Sequence, residues 1–567
     1  MLSLTTENAH RWLWLLLAAI ALALGAHLNA WGVLESSEAR YAEIGREMLA
    51  GHDWLHPRLL GIQHFHKPPL TYWLTAAGLA LTGGTATAAG VRLLPLLAVL
   101  TQVALVYGLG ALLFAGDRVR ALAAAVVYAT LPVVLISALN VTTDAYLATW
   151  ELAATFGLLR FYQSHKPGWL YLFWLMLGLA FLTKGPVGFI LPLMAVAGFY
   201  FRRQPPRRPF TVHHALGFLL FGGVGLSWYG YLVAENPAFV RYFLFEHTVE
   251  RFANPDTFAR SKPWWFYLVL APATSLPWSA ALLARALRTP WTSLPPIWRN
   301  VLLFGILVPL GFFSLSGSKL LLYILPIFPG VALLTVYYLG RCTDAELYHW
   351  YGGFLLFFGL ILAVLSALPA VVAAWELPLE ASPLVAVWAA VGAGALALQH
   401  MLWQPVRVAP RLLVLPVIFT VFLLMSAKTV LSENELRFNG TRPLAARLAR
   451  PDLAGRPVLV YNELLPSLAF SLGRLPVSLY DGNRSLRRET QFEHDQAWQR
   501  RLINLQDSTA PPRPAAALSA APVLVVKGEL PSARQGLRAG LPQEEQLGPW
   551  RIYYAPNAPA GGPVRRP

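Results

Sequence analysis

Stretches of apolar residues long enough to cross a membrane recur through the first three quarters of the chain. A helix that crosses about 30 Å of hydrocarbon at 1.5 Å per residue needs roughly 20 such residues. These stretches predict about thirteen transmembrane helices, near residues 11–30, 89–114, 119–137, 145–162, 169–183, 186–201, 214–233, 265–286, 298–315, 319–339, 350–373, 383–403 and 410–427. The turn at 183–186 is an open point, because one kinked helix there would invert the topology of everything that follows.

The composition agrees with a chain that folds largely inside a lipid bilayer. Hydrophobic residues make up 56% of the 567 residues, charged residues only 13%, and the mean hydropathy is +0.49. Soluble proteins carry about 25% charged residues. The first apolar stretch is too long for the core of a cleaved signal peptide, so it predicts a retained transmembrane helix. The single cysteine, Cys342, excludes an internal disulfide.

Three interpretations compete for the net charge of +16: nucleic-acid binding, basic loops that set the topology, and a site for anionic substrates. No basic stretch with interleaved aromatic residues stands alone in a soluble segment, so we expect no nucleic-acid partner. With the N-terminus inside, every predicted cytoplasmic loop carries lysine or arginine, as the positive-inside rule requires. The odd number of helices then places the C-terminal segment outside.

Two domains are predicted. Residues 1–428 form a transmembrane domain with long outside loops at 31–88 and 234–264, and residues 429–567 form a small extracytoplasmic α/β domain. Within these parts the predicted elements are a short helix at 37–49, strands at 457–460 and 521–526, helices at 443–449 and 465–472, a loop at 509–521 and a disordered tail at 557–567.

Polar residues form six clusters in the predicted outside loops and at outer helix ends. The inside loops carry little besides the arginines that set the topology. Charged groups near membrane level are costly and tend to serve function. The clusters contain the carboxylates Glu35, Glu38, Asp144 and Glu246 and the cations Arg40, Lys67, Lys184, Arg251 and Lys319. The cations suit a phosphate group, whereas the carboxylates suit acid–base chemistry or a divalent cation.

Each cluster also has a purely structural interpretation. Glu38 and Arg40 suit the surface of an interfacial helix, and Asp144 suits the N-terminal cap of the fourth helix. Loosely spaced histidines such as His66 and His247 are typical of a water-exposed loop. The coincidence of six clusters on one side of the membrane favours a functional site over these alternatives.

At these residues the chain resembles the ArnT-type lipid-to-lipid glycosyltransferases of the wider oligosaccharyl- and protein-mannosyltransferase superfamily, which has the GT-C fold. The family pattern Asp-Glu-x-Arg-Tyr-Ala-Glu-Ile, then Arg-Glu-Met-Leu, then Lys-Pro is matched by residues 38–44, 46–49 and 67–68. Further matches follow in family order at 183–185, 246–247, 251–252, 275–278, 317–319, 465–468 and 472–473. The chain departs from the pattern at Ser37, where the family has Asp, and at His66, where it has Glu.

The resemblance implies transfer of 4-amino-4-deoxy-L-arabinose from a polyprenyl-phosphate donor, undecaprenyl phosphate, to a lipid A-type glycolipid acceptor. It implies a monomeric, multi-pass protein of the bacterial inner membrane, with its active site and C-terminal domain on the periplasmic side. The family's catalytic Asp is Ser37 here, so its role passes to Glu38, Asp144 or Glu35. The donor phosphate would be held by Arg40, Tyr41, Lys67, Lys184, Arg251 and Lys319. The candidate ligands for a divalent metal ion are His66, Glu246 and His247.

Other functions remain as alternatives. The sugar acceptor could instead be a protein or a polysaccharide. A transporter of a lipid-linked anion would use the same cations without chemistry, but transporters often show inverted repeats and midplane charges, and neither is visible here. A membrane-anchored scaffold would work through its C-terminal domain, in which we find no catalytic motif. We therefore expect that domain to position the acceptor.

Overall fold

The computed structural model describes residues 7–35, 37–200, 211–243, 262–402, 408–488, 490–506 and 521–556. Most of these residues form a helical bundle, and a small sheet domain lies at one end of it. The segment 31–88 lies at the same end, which we call the loop face. It contains the helices Ser37–Gly51 and Leu70–Leu81 and a hairpin of Arg58–Leu59 with Ile62–Gln63. The helix predicted at 37–49 is thus present.

Seven helices among the described residues are long and apolar enough to cross a membrane: Ala88–Leu113, Pro167–Gly198, Pro296–Leu315, Leu321–Leu339, Asp344–Ala374, Pro383–Leu402 and Val408–Glu433. Three bent pairs raise the number to ten: Arg118–Ala129 with Pro132–Ala138, Val212–Gly225 with Ser227–Glu235, and Phe266–Ala273 with Trp278–Ala286. Shorter or less apolar helices are Ala9–Gly25, Thr143–Ser164 and Ala238–Arg241. The chain is a polytopic helical membrane protein, but the predicted count of about thirteen is not confirmed.

Local sequence explains two interruptions of the bundle. The predicted span 119–137 bends by 68° at Pro132, because proline has no N–H for a continuing helix. The second interruption follows Pro167–Lys184, where Gly185 adopts a φ of +70°. A Cβ on Gly188 would come within 2.8 Å of the Ala180 carbonyl carbon. The apolar stretch Pro167–Gly198 is therefore interrupted by the 3₁₀ turn Gly185–Phe189 before it continues as Ile190–Tyr200.

The C-terminal part contains a six-stranded sheet. Its strands in spatial order are Leu502–Asn504, Val477–Tyr480, Val458–Tyr461, Val523–Lys527, Trp550–Tyr554 and Gln543–Leu547. The first four strands run parallel to one another, and the last two add antiparallel. Every residue of Val458–Tyr461 is buried, as expected for a central parallel strand covered on both faces.

The two strands predicted in this domain are its central pair. The predicted helices at 443–449 and 465–472 appear as Arg442–Leu448 and Pro466–Leu472. The last membrane helix runs on to Glu433, past the domain boundary predicted at 428. The predicted disordered tail at 557–567 and nearly all of the predicted loop at 509–521 lie outside the described residues.

Candidate active site

Asp144 and Lys184 form a buried ion pair at the loop face. Asp144 stands in the first turn of Thr143–Ser164, and Lys184 is the last residue of Pro167–Lys184. These consecutive helices pack against each other, so the start of one meets the end of the other. Lys184 Nζ lies 2.5 Å from Asp144 Oδ1, and the two side chains are only 6% and 7% exposed. An acid at a helix start and a base at a helix end also complement both helix dipoles.

The ammonium group of Lys184 has a second contact. It lies over the ring of Tyr323, 3.9 Å from the ring centroid, where the ring quadrupole attracts a cation. Tyr323 belongs to the 3₁₀ helix Leu321–Ile327, which begins just after Lys319. An ammonium carries three donors, so those not used by Asp144 are available to a phosphate.

Tyr41 lies next to this pair, on the helix Ser37–Gly51. Its hydroxyl lies near the side chain of Thr143 and within electrostatic range of Asp144. Its ring centroid is 5.6 Å from that of Tyr72. Burial, and then the negative charge of Asp144, raises the pKa of Tyr41 to about 12. The hydroxyl therefore keeps its proton at neutral pH and can donate a hydrogen bond.

Lys319 lies at the neighbouring turn and is buried. Its ammonium group donates to the backbone carbonyls of Ser316 and Lys262. Burial lowers the pKa of Lys319. The next residue, Leu320, exchanges hydrogen bonds with the hydroxyl of Tyr267, which itself lies within electrostatic range of Asp144 and Tyr323. These contacts place Lys319 at the edge of the same polar cluster.

Glu38 points away from this cluster, into the bundle. Arg92 donates from Nε to Glu38 Oε1 at 2.7 Å and from Nη2 to Oε2 at 2.8 Å, and the Leu34 N–H donates to Oε2 at 3.0 Å. Arg92 is fully buried and also donates to three backbone carbonyls of the segment 28–32. Three of the roughly four acceptor positions of this carboxylate are therefore occupied. The contact between Arg92 and Glu38 thus attaches the helix Ser37–Gly51 to the helical bundle.

Glu35 faces the C-terminal domain. Its Oε1 accepts a hydrogen bond of 2.8 Å from the backbone N–H of Ser467, in the helix Pro466–Leu472. Burial raises the pKa of Glu35 to about 7, although the hydrogen bonds from Ser467 and the charge of Arg40 oppose that rise. Glu35 is thus partly protonated near neutral pH and joins the first loop to the sheet domain.

Arg40 lies between these groups, one residue before Tyr41. It is within electrostatic range of Glu35, Tyr41 and Arg488, the last from the C-terminal domain. Its Nε is buried, and among the described residues no acceptor satisfies it. A buried guanidinium N–H without a partner is costly, which marks this position as one that a ligand oxygen could complete.

The remaining predicted residues are only partly described. Lys67 precedes the helix Leu70–Leu81, and the His66 ring centroid lies 4.0 Å from that of His64. Glu246, His247 and Arg251 lie outside the described residues. Within the described ranges, no three His, Cys, Asp or Glu side chains are grouped so that they could hold a metal ion. The metal site therefore stays a prediction.

Sequence reasoning missed three participants. Arg92 had a usable signal, since a charge inside an apolar helix implies a buried partner. The sequence contains no signal that identifies Tyr323, because aromatic residues are common in apolar segments. Arg488 stands among several arginines in a loop of the C-terminal domain, and only the folded arrangement distinguishes it.

Comparison with known proteins agrees with this architecture. A model of the dolichyl-phosphate-mannose-protein mannosyltransferase family matches residues 66–229. The crystal structure of ArnT from Cupriavidus metallidurans bound to undecaprenyl phosphate superposes with a TM-score of 0.76, covering 98% of this chain and 99% of that one at 23% identity. The apo form of the same protein gives a TM-score of 0.74, covering 98% of this chain and 100% of that one at 23% identity. These likenesses show a shared fold, the GT-C fold implied by the motifs.

Sequence relatives establish the family. The undecaprenyl phosphate-alpha-4-amino-4-deoxy-L-arabinose arabinosyl transferase of Pseudomonas paraeruginosa is 32% identical over 499 residues, which cover 85% of this chain and 87% of the relative. A transferase of the same name from Sodalis glossinidius is 32% identical over 414 residues, covering 70% and 74%. The resemblance drawn from the motifs is confirmed, and the chain belongs to the family of undecaprenyl phosphate-alpha-4-amino-4-deoxy-L-arabinose arabinosyl transferases, a family of membrane glycosyltransferases.

Proposed function

We propose that this protein transfers 4-amino-4-deoxy-L-arabinose from undecaprenyl phosphate to a phosphate of a lipid A-type glycolipid. The observation that carries the proposal is the buried pair of Asp144 and Lys184, with Tyr41 and Lys319 beside it. Two lysines and a protonated phenol near one point suit a phosphate group. The relatives' names supply the donor and the sugar, and the motif resemblance supplies the acceptor.

The site belongs on the periplasmic side of the bacterial inner membrane, with the enzyme acting as a monomer. Basic residues in the opposite loops support that orientation. A polyprenyl chain keeps its donor in the bilayer, so the phosphate must be met at the membrane boundary. The loop face presents its cations at helix ends and turns, which is where such a phosphate would lie.

The reaction we propose is a single displacement with inversion. An oxygen of the acceptor phosphate attacks the anomeric carbon, and the bond from that carbon to the donor phosphate oxygen breaks, with its electron pair leaving on undecaprenyl phosphate. A diester monoanion and a monoester dianion thereby become a new diester monoanion and a new monoester dianion. No proton has to move. Catalysis then depends on placing the reactants and on stabilising the charge that develops on the leaving phosphate.

Lys184 is our main candidate for that stabilisation. Asp144 and the Tyr323 ring hold its ammonium group in place, so its charge is oriented before the reaction begins. Tyr41 would donate a hydrogen bond to the same phosphate, and Lys319, Lys67 and Arg251 would complete the anion site. Asp144 orients Lys184 and would serve as base if the acceptor carried a proton.

We assign the other two carboxylates to support. Glu38 is bound by Arg92 and holds the helix that carries Tyr41. Glu35 is bound to Ser467 and holds the C-terminal domain. Among the three predicted catalytic carboxylates, Asp144 therefore remains as the one that faces the proposed phosphate site. His66, Glu246 and His247 stay the predicted ligands of a divalent ion.

Mass spectrometry of envelope lipids and glycoproteins tests the proposal in cells. Lipid A from cells that express the protein should carry the mass of one added aminoarabinose, and lipid A from cells without it should not. A matched Lys184→Ala strain should resemble the strain without the protein. If the sugar is found on proteins or polysaccharide instead, the proposed acceptor is wrong. A lipid-linked anion that moves across the membrane without any sugar transfer would contradict the enzyme mechanism.

A further inference from the structure

A part of the C-terminal domain, residues 490–493, contacts the loop face, and residues 484–488 lie close by in sequence. Phe492 stacks on Phe239, with ring centroids 4.1 Å apart and planes inclined by 7°. It also meets Phe65 and Tyr242 edge-on, at 5.6 and 5.0 Å, and is only 6% exposed. Aromatic pairs of this kind contribute beyond their buried area. Phe492 therefore anchors residues 490–493 in an aromatic pocket of the membrane domain.

A polar contact adds to the anchor. The backbone N–H of Gln63, in the hairpin of the first loop, donates to Glu493 Oε1 at 2.5 Å. Arg58 of the same hairpin lies 3.5 Å from Glu493 Oε2. Phe492 and Glu493 are thus held to the loop face by both apolar and charged contacts.

Arg488 precedes these residues in sequence and lies in the neighbourhood of Arg40. One of its N–H groups donates to the carbonyls of Ser485 and Arg487, which orients the side chain. Burial, and then the charge of Arg40, lowers the pKa of Arg488 to about 10, while Glu47 raises it. Arg488 therefore stays charged at neutral pH. Among the described residues, neither guanidinium has a carboxylate within ion-pair distance.

Two guanidinium groups held near each other repel, and the arrangement costs energy unless an anion joins them. Arg40 adds a buried Nε without a partner in the described part of the chain. A phosphate monoester supplies two negative charges and several acceptor oxygens, which match two guanidinium forks. The donor phosphate belongs to the cluster of Lys184 and Tyr41, whereas Arg488 arrives from the aqueous side with the C-terminal domain.

We propose that Arg488, together with Arg40, binds the phosphate of the acceptor, so that the C-terminal domain contributes directly to acceptor recognition. This inference rests on the proposed function, because it assumes a phosphorylated acceptor. Arg488 is then a specificity-determining residue that acts at acceptor binding.

Steady-state kinetics in nanodiscs distinguish a defect in binding the acceptor phosphate from a defect in binding the donor phosphate. With undecaprenyl-phosphate-aminoarabinose as donor and lipid A as acceptor, Arg488→Ala should raise the KM for lipid A about tenfold or more. The KM for the donor, and the Kd for undecaprenyl phosphate as a probe, should stay within about twofold of wild type. The KM of Arg488→Lys for lipid A should lie between those of wild type and Arg488→Ala, because lysine keeps the positive charge but not the planar, two-pronged donor group of arginine.

Arg484→Ala is the matched control, since Arg484 is an exposed arginine of residues 484–488. It should leave the KM for lipid A, the KM for the donor and the Kd for undecaprenyl phosphate unchanged. Phe492→Ala keeps the guanidinium but removes the anchor, so it should also raise the KM for lipid A. Wild-type affinity for lipid A in Arg488→Ala, or a defect confined to the donor constants, overturns the inference.

Failure of the proposed function would give a result different from failure of the inference about Arg488. A wild-type protein that transfers no aminoarabinose to lipid A contradicts the proposed function and leaves these kinetics without a reaction. Binding of lipid A in the absence of donor then decides the role of Arg488. Weaker binding by Arg488→Ala than by wild type and Arg484→Ala supports that role, and equal binding by all three overturns it.

Discussion

Arg92 holds both carboxylate oxygens of Glu38, across 54 positions of sequence, through hydrogen bonds of 2.7 and 2.8 Å. The guanidinium is fully buried, and its remaining donors reach backbone carbonyls of the connection between the first helix and Ser37–Gly51. One side chain therefore closes the first loop onto the membrane domain. It sets the position of the helix that carries Arg40 and Tyr41.

Replacing Glu38 by Gln should mainly destabilise the protein, because it leaves a buried guanidinium without its counter-charge. Breaking such a buried pair costs about 3–5 kcal/mol. The apparent Tm in detergent should fall clearly, and Arg92→Lys should show the same defect since lysine cannot form the two-pronged contact. Glu529→Ala, which breaks only the pair of the 80% exposed Glu529 with Arg551, is the control and should change little. A Glu38→Gln protein of normal Tm but without activity would instead make Glu38 a catalytic group.

The ion pair of Asp144 and Lys184 calls for a design that separates stability from function. Asp144→Asn and Lys184→Met each leave one buried charge unpaired, so each should lower both Tm and activity. The double variant carries no net charge at the site and should recover part of the lost stability. Its turnover should stay at least about 100-fold below wild type, because the cation that stabilises the leaving phosphate is gone. Recovery of activity together with stability would reduce the pair to a structural role.

Glu35 should make stability depend on pH near neutrality. Its pKa is about 7 in the folded protein, above the ordinary value, so the folded state binds the proton more tightly than the unfolded state. The resulting stability is complete below the unfolded pKa and is lost as the pH rises through about 7. Glu35→Gln, which keeps an acceptor for Ser467, should therefore lose less stability than wild type between pH 5 and pH 8. Equal pH profiles of the two proteins in thermal unfolding would contradict this.

Orientation in the membrane can be tested with single cysteines in a Cys342→Ser background. Ser532→Cys lies on the exposed surface of the C-terminal domain, and Ser293→Cys lies in an exposed loop predicted to be cytoplasmic. A membrane-impermeant maleimide added to intact spheroplasts should label the first and spare the second. The second should react after permeabilisation, which controls for accessibility. The opposite labelling pattern would invert the predicted topology.

The membrane helices could be predicted from sequence where lipid alone dictates the pattern. The predicted spans 350–373 and 383–403 correspond to Asp344–Ala374 and Pro383–Leu402, because long uncharged stretches have few other uses. The bend in 119–137 carried its own signal in Pro132. The total number of membrane helices could not be predicted in the same way. Short or bent helices inside a bundle need not be long or apolar enough to be counted as membrane spans.

The site was predictable as a set of residues but not as an arrangement. Asp144 and Lys184 were each recognised from charge at a helix end, yet their pairing depends on the antiparallel packing of two helices. Glu38 matched the family pattern, but its partner Arg92 is reached only when the loop docks on the bundle. Hydropathy and spacing describe one segment at a time, and these contacts join distant segments.

Transfer by the purified protein tests the central claim most directly. Undecaprenyl phosphate carrying radiolabelled aminoarabinose is mixed with lipid A and the protein in proteoliposomes, and the label on lipid A is followed over time. Wild type should transfer the label, lipid A stripped of its phosphates should receive none, and the double variant Asp144→Asn/Lys184→Met should be slower by about 100-fold or more. Label that stays on the polyprenyl donor with wild type, or moves equally well to phosphate-free lipid A, would contradict the account.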